Sequence, residues 1–367
     1  MLTLHHLPKL RVSVTDWCNF KCVFCGGMEY SMENWRHNKQ EPIDTDTFIT
    51  FAKTYIDLGG REIHLTGGEP LYRRDIHQII SALIDLGAII ELNTNASLLT
   101  RERIATLTQL RLNLLKISLH AAQPDKFASV TKSLKFHRVK EAIRNASQSI
   151  PVRTNMVVQT SNLDQVIPVI LLSQQLGAEK IHLLDLTYYA DWIPELAANW
   201  SNEFIPLTLV VAPMLIDHFK GSFTDQLIFG CKFYEMLLPD GFKIVIKEAQ
   251  PTLRHPHFCT NCTKYCHEGM FCVRLSNDGY ANICPTENEI GFDIRASIQA
   301  GSLKEDLARI FQILSEAVQV DSWNHFLTIN NLEPPKAFAE TSTDWSKSTV
   351  RSMGSPKFMI MLDDRSE

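Results

Sequence analysis

Short β-branched runs alternate with segments of helical periodicity along the first half of the chain. Six apolar runs of strand length occur here, a pattern that predicts parallel strands joined by crossover helices. The predicted strands are "LRVSVT" (10–15), "EIHLT" (62–66), "IIELN" (89–93), "LLKISL" (114–119), "VRTNMVV" (152–158) and "KIHLLDL" (180–186). The predicted helices lie around 44–58, 73–86, 100–110, 137–149 and 162–176.

The same junction recurs three times, in "DLGGREIHL", "DLGAIIEL" and "QLGAEKIHLL". Each places Leu-Gly at the end of a predicted helix, followed within a few residues by a predicted strand. Glycine there permits the left-handed conformation that ends a helix. Because the number of β/α units is nearer six than eight, we expect an α/β fold, a partial (β/α)6 TIM-like barrel with a C-terminal cysteine-rich extension.

Beyond Tyr188 the regular alternation fades, and a second group of cysteines begins near residue 259. The segment 303–318 is amphipathic and predicts a helix, whereas the last fifty residues have the composition of turns and frayed ends. We therefore expect three parts: the barrel core at 8–187, a linker and cysteine-rich region at 188–300, and a C-terminal helix and tail at 301–367.

Charge and composition narrow the class of protein. The 367 residues carry 36 Lys+Arg and 41 Asp+Glu, a formal net charge of -5, without long runs of either sign. A general nucleic-acid or anionic-membrane surface is therefore not indicated. The N-terminal "MLTLHHLPKLRVSV" lacks the pattern of a signal peptide, and no apolar run approaches 18 residues. We expect a cytoplasmic protein with a small-molecule substrate and neither a nucleic-acid nor a membrane partner.

Eight of the nine cysteines fall into two groups. Clustering in an enzyme-sized chain without secretion signals favours metal binding over disulfides. Cys231 stands alone and is interpreted as a small buried apolar residue. The first group is Cys18, Cys22 and Cys25, and the second is Cys259, Cys262, Cys266, Cys272 and Cys284.

The first group lies in "TDWCNFKCVFC", directly after the first predicted strand. Structural zinc needs four protein ligands, commonly as paired CxxC units, and no fourth thiol lies nearby. A [4Fe–4S] cluster can take three thiolates and leave one iron open to another ligand. Spacing alone leaves both the open cluster and zinc with a remote fourth ligand possible. Phe20 and Phe24 interleave the cysteines and would partly shield a cluster.

At these residues the chain resembles the radical S-adenosylmethionine (SAM) superfamily, whose signature is CxxxCxxC after the first strand. The longer "LRVSVTDWCNFKCVFC" is most similar to the MoaA-like branch, which contains the GTP 3′,8-cyclase of molybdenum-cofactor synthesis. Further matches cover 8–187 in the family's order and spacing. They are "IHLTGGEPLYRRDI", "ELNTNASLL", "KISLHAAQPDKFASVT", "VRTNMVVQTSNLDQV" and "LGAEKIHLLDL".

This resemblance implies a [4Fe–4S] cluster whose open iron binds SAM, and reductive cleavage of SAM to a 5′-deoxyadenosyl radical that abstracts a substrate hydrogen. It also implies an electron donor such as flavodoxin or ferredoxin. The positions that match the family's SAM site follow strand ends on one rim of the barrel. The cofactor-binding residues expected from it are Phe24, Gly67, Gly68, Glu69, Thr94, Asn95 and Ser118.

Three arginines match positions at which MoaA-like sequences hold the substrate's anionic group or base. They are Arg11 on the first strand, Arg153 on the fifth and Arg274 before the last cysteine. A guanidinium fork suits phosphate or carboxylate, although ordinary salt bridges are the alternative. His64 stands where the family often has another basic residue, which weakens a triphosphate site.

The second cysteine group resembles the C-terminal auxiliary-cluster (twitch or SPASM-like) segment of the same proteins. In "RLSNDGYANIC", residues 276–279 predict a hairpin turn. The preceding part departs from the pattern, with five cysteines in place of three and Cys272 where arginine is normal. A second iron–sulfur cluster is the interpretation, and structural zinc from the same thiolates is the alternative.

Other departures argue against a plain cyclase. Trp17 replaces an arginine, residues 26–27 are Gly-Gly in place of Met-Pro, and the sequence given ends "LDDRSE" where a cyclase has Gly-Gly. We therefore expect a MoaA-like paralogue acting on a small anionic substrate such as a nucleotide, nucleoside or sugar conjugate. The alternatives are a peptide-modifying maturase and a true GTP 3′,8-cyclase. A non-enzymatic iron–sulfur scaffold would leave the SAM positions redundant.

Overall fold

The computed structural model describes residues 2–3, 7–25, 42–186, 200, 202–228, 231–247, 253–255, 259, 272–284 and 290–319. The strands are β1 Leu2–Thr3, β2 Lys9–Ser13, β3 Glu62–Thr66, β4 Ile89–Thr94, β5 Leu114–Ser118, β6 Val152–Val157, β7 Lys180–Leu184, β8 Thr224–Ile228, β9 Cys231–Leu237, β10 Lys243–Lys247, β11 Leu253–Arg254, β12 Cys272–Leu275, β13 Tyr280–Asn282, β14 Phe292–Asp293 and β15 Glu316–Gln319. The α-helices are α1 Thr45–Asp57, α2 Ile76–Asp85, α3 Arg101–Gln109, α4 Pro124–Thr131, α5 Phe136–Ala146, α6 Val166–Gln175, α7 Ala212–Phe219, α8 Ile294–Ala300 and α9 Leu303–Ser315.

One twelve-stranded sheet, in the order β14-β13-β12-β2-β3-β4-β5-β6-β7-β10-β9-β8, organises the described residues. The six predicted strands are β2 to β7, and they pair in parallel in sequence order. This confirms the α/β partial-barrel prediction. Two strands that were not predicted, β12 and β10, extend the parallel run by one strand on each side. Antiparallel strands then form both edges, and the sheet does not close.

The sheet buries one apolar face against helices. On β2, Leu10 and Val12 are fully buried, while the alternating Lys9, Arg11 and Ser13 are half-buried on the opposite face. The same alternation recurs on β3, β6 and β7. Because side chains along a strand point alternately to the two faces, β2 to β7 present apolar residues to the helices and polar residues to the other face. We call this second face the concave face.

Electrostatic interactions connect distant strands on the concave face. Lys116 on β5 interacts with Arg11 on β2 and with Lys247 on β10, each three strands away in the sheet. Positive charge from both halves of the sheet therefore acts on Lys116.

Local signals set the ends of several helices. Asp44 accepts a hydrogen bond from the amide of Thr47 and caps α1, and Thr100 caps α3 by accepting one from Arg103. The glycines of the three Leu-Gly junctions all have positive φ and end α1, α2 and α6 as predicted. Helix α9 is shorter than its predicted span and continues as β15, which pairs with β1 and β11 in a small separate sheet.

Residues 188–300 contain more regular structure than their composition suggested. Helix α7 and strands β8 to β10 follow the core, and the hairpin of β12 and β13 turns at 276–279 as predicted, with Gly279 at a φ of 88°. Because β10 and β12 join the core sheet, the boundary at residue 187 stays a prediction. Among the residues described, no helix has the length and apolar character needed to cross a membrane.

Candidate active site at the rim and concave face of the sheet

The loop that carries Cys18, Cys22 and Cys25 leaves β2 at the carboxyl end of the sheet and is held from two sides. On one side, the amides of Gly68 and Glu69 donate to the carbonyls of Thr15 (2.7 Å) and Trp17 (2.6 Å). On the other side, the amides of Lys21 and Val23 donate to carbonyls in the last turn of α4. The backbone of the loop is therefore fixed by protein contacts alone.

Gly67 and Gly68 allow the loop to approach β3. A Cβ at Gly67 would lie 2.1 Å from the carbonyl oxygen of Thr15, and one at Gly68 would lie 2.2 Å from that of Trp17. Gly67 also has a φ of 140°, which side chains rarely adopt. Both glycines are thus needed for the position of the cysteine loop, whatever contact they make with a cofactor.

The carboxylate of Glu69 is fully buried, and protein groups bond both of its oxygens. Its Oε1 accepts from the amide of Leu71 (3.1 Å) and the hydroxyl of Thr94 (2.6 Å), and its Oε2 accepts from the amide of Asn95 (2.7 Å). Burial raises the pKa of this carboxyl, and these hydrogen bonds oppose the rise. The side chain therefore joins the ends of β3 and β4.

A polar network continues from Asn95 into the cysteine loop. The side-chain amide nitrogen of Asn95 lies 3.8 Å from the sulfur of Cys18 and donates to the side-chain oxygen of Asn19 (2.9 Å). The side chain of Asn19 donates in turn to the hydroxyl of Ser97 (2.7 Å). Asn95 also accepts from the amide of Ser97 at 2.9 Å. A donor beside a sulfur favours the thiolate form that iron binds.

Burial raises the pKa of the Cys18 and Cys22 thiols, and the charge of Cys25 raises both further. The electrostatic interaction of all three groups shows that the fold brings them together. Thiols in such surroundings stay protonated unless a cation stabilises the thiolates. Iron would supply that positive charge, so the donor set fits an iron–sulfur cluster.

An iron–sulfur cluster and a single zinc ion require different distances between their thiolate ligands. Four thiolates on one zinc lie about 3.8 Å apart, as the Zn–S bond length requires, whereas each thiolate of a cube binds a different iron. Within the described residues, no three His, Cys, Asp or Glu side chains form a group that could hold a single metal ion. The cube stays the prediction for the rim loop, with zinc and a remote fourth ligand as the alternative.

Phe24 connects the cysteine loop to the end of β5. Its ring lies 4.6 Å from that of His120 in an edge-on contact, and the Nδ1 of His120 accepts from the amide of Val157 at 3.2 Å. Burial lowers the pKa of His120 to about 3, so the ring is neutral and its proton lies on Nε2. Ser118 ends β5 on the concave face, two residues before this histidine.

The three candidate arginines lie on the concave face, beneath the rim. Arg11 is the direct neighbour of Arg274 in the pairing of β2 with β12, which brings together residues far apart in sequence. Arg153 lies on β6, between Lys116 and Lys180 of the adjacent strands. Within the described part of the chain, the buried Nε atom of Arg153 has no hydrogen-bond partner.

The hairpin of β12 and β13 positions two cysteines of the second group. Arg274 pairs with Asn282, so an extension of this register would place Cys272 opposite Cys284. Cys272 is buried, and Cys259 is half-buried with its amide bonded to the carbonyl of His255. Cys262 and Cys266 lie outside the described residues, as do residues 26–27.

Sequence reasoning missed a set of charged residues on the concave face and two polar residues at the rim. Asn19 and His120 are bonded into the rim, and both lie inside motifs quoted in the sequence analysis, but neither was singled out there. The charged residues alternate with apolar ones along their strands, and this alternation was the sequence signal that could have revealed them. The set is Glu91, Lys116, Lys180, Glu235 and Lys243.

Comparison with protein families finds a match within the core. Residues 12–171 match the family model described as the Radical SAM superfamily. A relative from Saccharolobus islandicus (strain M.14.25 / Kamchatka #1), named "Probable GTP 3',8-cyclase", is 29% identical over 321 residues, 84% of this chain and 93% of that protein. The "GTP 3',8-cyclase" of Staphylococcus epidermidis is 27% identical over 335 residues, 88% of this chain and 92% of that protein.

Solved structures agree on the fold. Streptococcus suis SuiB bound to S-adenosylmethionine superposes with a TM-score of 0.52 at 14% identity, over 76% of this chain and 60% of that one. The native anSMEcpe structure with bound AdoMet gives a TM-score of 0.51 at 13% identity, over 90% of this chain and 98% of that one. At these identities the similarity shows the fold alone.

Proposed function

We propose that this chain, whose residues 12–171 form a domain of the radical SAM superfamily, cleaves SAM reductively and abstracts hydrogen from a small anionic substrate. The observation that carries the proposal is that backbone hydrogen bonds hold the three-cysteine loop at the carboxyl end of a sheet whose concave face carries cations on adjacent strands. Cys18, Cys22 and Cys25 bind the cluster. Arg11, Arg153 and Arg274 orient the substrate.

A [4Fe–4S] cluster held by these three thiolates would supply the electron for reductive cleavage of SAM. The residues of this chain hold the cluster and orient both ligands. Asn95 donates toward the sulfur of Cys18, and Glu69 locks the ends of β3 and β4 beneath the loop. Gly67, Gly68, Thr94, Ser118 and Phe24 form the SAM side of the rim.

The second cysteine group holds an auxiliary iron–sulfur cluster in this proposal. The hairpin register that directs Cys272 and Cys284 toward each other supports it. The electron comes from a small redox protein such as flavodoxin or ferredoxin. We place the reaction in the cytoplasm, where reducing conditions keep clustered thiols available for iron.

GTP cyclisation is the second candidate, because the similar relatives named above are GTP 3′,8-cyclases at 27–29% identity. Cys272 argues for a different substrate. It pairs with Lys9 and shares the face of Arg274, so a thiol stands where the cyclase pattern has an arginine. A site that loses a paired cation discriminates against the ligand that needed it.

SAM cleavage tests the enzyme assignment. Anaerobically reconstituted and reduced protein should form 5′-deoxyadenosine, and Cys22→Ala should abolish its formation because the cluster loses one of three ligands. Cys231→Ala is the matched control, since Cys231 is a buried cysteine on β9 that belongs to neither cysteine group in the sequence. Cleavage retained by Cys22→Ala would refute the assignment.

A substrate panel separates the two candidate functions. We expect a smaller anionic compound to accelerate 5′-deoxyadenosine formation and Arg153→Ala to remove that acceleration. GTP should yield no cyclised nucleotide under the same conditions. Efficient cyclisation of GTP would favour the cyclase, and a response to short peptides alone would favour a peptide-modifying enzyme.

A further inference from the structure

Four cations stand side by side on adjacent strands of the concave face. Lys116 on β5 pairs with Arg153 on β6, Arg153 with Lys180 on β7, and Lys180 with Lys243 on β10. We call these four residues the cationic row. Burial, followed by the charges of Lys116, Lys180 and Arg153, holds the pKa of the neighbouring His182 well below its usual value. Three members of the row therefore act electrostatically on the same side chain, His182.

Like charges directly opposite each other destabilise a sheet, so a row of four needs compensation. Two carboxylates supply it, one at each end. Glu91 lies 2.5 Å from the ammonium of Lys116, and Glu235 lies 3.2 Å from that of Lys180 and 2.8 Å from that of Lys243. Glu91 thereby offsets the charge of Lys116, and Glu235 shares one negative charge between Lys180 and Lys243.

Arg153, in the middle, has no such partner. No carboxylate of the described residues forms an ion pair with its guanidinium, and its Nε is buried without an acceptor. The next concave-face residue on β6, Asn155, likewise has a buried Oδ1 without a donor. A buried donor and acceptor left unpaired are costly, and a ligand that pairs both removes that cost.

We infer that the cationic row holds one compact oxyanion of the substrate, a single phosphate or carboxylate, at Arg153, and that Glu91 and Glu235 remove the advantage that a longer polyphosphate would otherwise gain from the row. This inference rests on the proposed function and specifies its substrate class. The two carboxylates occupy the cations that a second and third phosphate would need. Glu91 and Glu235 are specificity-determining residues in this view.

The position of Arg153 sets the size of the substrate. Asn155 is level with Ser118 at the rim, and Arg153 lies two residues below it on the same face. Two residues of strand span about 7 Å. A molecule with its anionic group on Arg153 and its reacting carbon at the rim has the dimensions of a sugar or nucleoside bearing one phosphate or carboxylate.

Calorimetric titration of the anaerobically reconstituted full chain with phosphate, acetate and tripolyphosphate tests the inference. We expect the wild type to bind tripolyphosphate within about threefold of phosphate, since Glu91 and Glu235 screen the row. Glu235→Gln should tighten tripolyphosphate binding about tenfold while changing phosphate little. Arg153→Gln should weaken both about tenfold. Acetate reports whether a carboxylate serves as well as a phosphate.

Glu62→Gln is the control, because Glu62 is a concave-face carboxylate that pairs with Lys9 outside the row. It should leave the ratio of the two affinities unchanged. If Glu235→Gln does not fold, Glu91→Gln frees the other end of the row and predicts the same change. A wild type that prefers tripolyphosphate about a hundredfold, or a Glu235→Gln protein with an unchanged ratio, would overturn the inference. SAM cleavage measured on the same samples tests the proposed function separately.

Discussion

At the rim, both oxygens of Glu69 accept hydrogen bonds from protein groups, whereas on the concave face Arg153 keeps a buried nitrogen unpaired. Glu69 lies just after the end of β3, and Arg153 lies on β6. At the rim, backbone hydrogen bonds also hold the cysteine loop to the β3 end and to α4. In the inference above, an oxyanion of the substrate pairs with Arg153 at the centre of the cationic row. Hydrogen bonding within the protein therefore distinguishes residues that hold the structure of the site from residues available to bind a substrate.

Substitution of Gly67 gives the largest expected effect on the rim. Gly67→Ala should lower the free energy of unfolding by about 3 kcal/mol and reduce the iron bound after reconstitution, because its Cβ would collide with the carbonyl of Thr15. Chemical denaturation and iron analysis measure both quantities.

Gly87→Ala is the matched control for this prediction. Gly87 also has positive φ, but a Cβ there meets no atom within 4 Å. It should lose only about 1 kcal/mol and bind iron normally. Equal losses in the two variants would show that backbone strain, not the approach of the cysteine loop, decides the stability of the rim.

Glu69→Gln is an intermediate test. A glutamine amide would turn a donor toward the donors of Leu71, Thr94 or Asn95, so we expect a loss of about 2 kcal/mol in the free energy of unfolding. Glu62→Gln, at a half-exposed carboxylate, should cost under about 1 kcal/mol. A Glu69→Gln protein as stable as the wild type would contradict the view that this carboxylate joins β3 to β4.

The smallest effect is expected on the concave face and has the opposite sign. Arg153→Met should raise the free energy of unfolding by about 1 kcal/mol, because it removes an unpaired buried donor from between two lysines. Denaturation in low salt without added anions is the measurement. A clear loss of stability would mean that Arg153 serves the fold and not a ligand.

Arg73→Met provides the contrast for this last variant. The guanidinium of Arg73 donates to the carbonyls of Val14 and Ile43 (both 3.1 Å) and to Asp75 (2.8 Å from Nε). Its loss should therefore destabilise the protein by about 2 kcal/mol. The pair of arginine variants compares a satisfied guanidinium with an unsatisfied one in the same protein.

The local pattern of the sequence determined the six core strands, the helices that follow them and the position of the cysteine loop. Period-two alternation and Leu-Gly junctions are local signals, and each acts within a few residues. CxxxCxxC is likewise contained in eight residues, so the radical SAM signature needs no tertiary information. Helix α4 was not predicted, although it lies within the core.

Tertiary structure alone decided which charges meet. Alternation placed Lys116, Lys180 and Lys243 on one face of their strands, but the pairing that aligns them with Arg153 depends on strand register. Register is set by contacts between residues distant in sequence, which no short window contains. For the same reason, the sequence did not predict that β10 and β12 join the core sheet, or that Arg11 pairs with Arg274. The sequence also did not predict the contacts of Glu69. Its motif suggested a cofactor contact, whereas its buried carboxylate accepts three hydrogen bonds from protein groups at the ends of two strands.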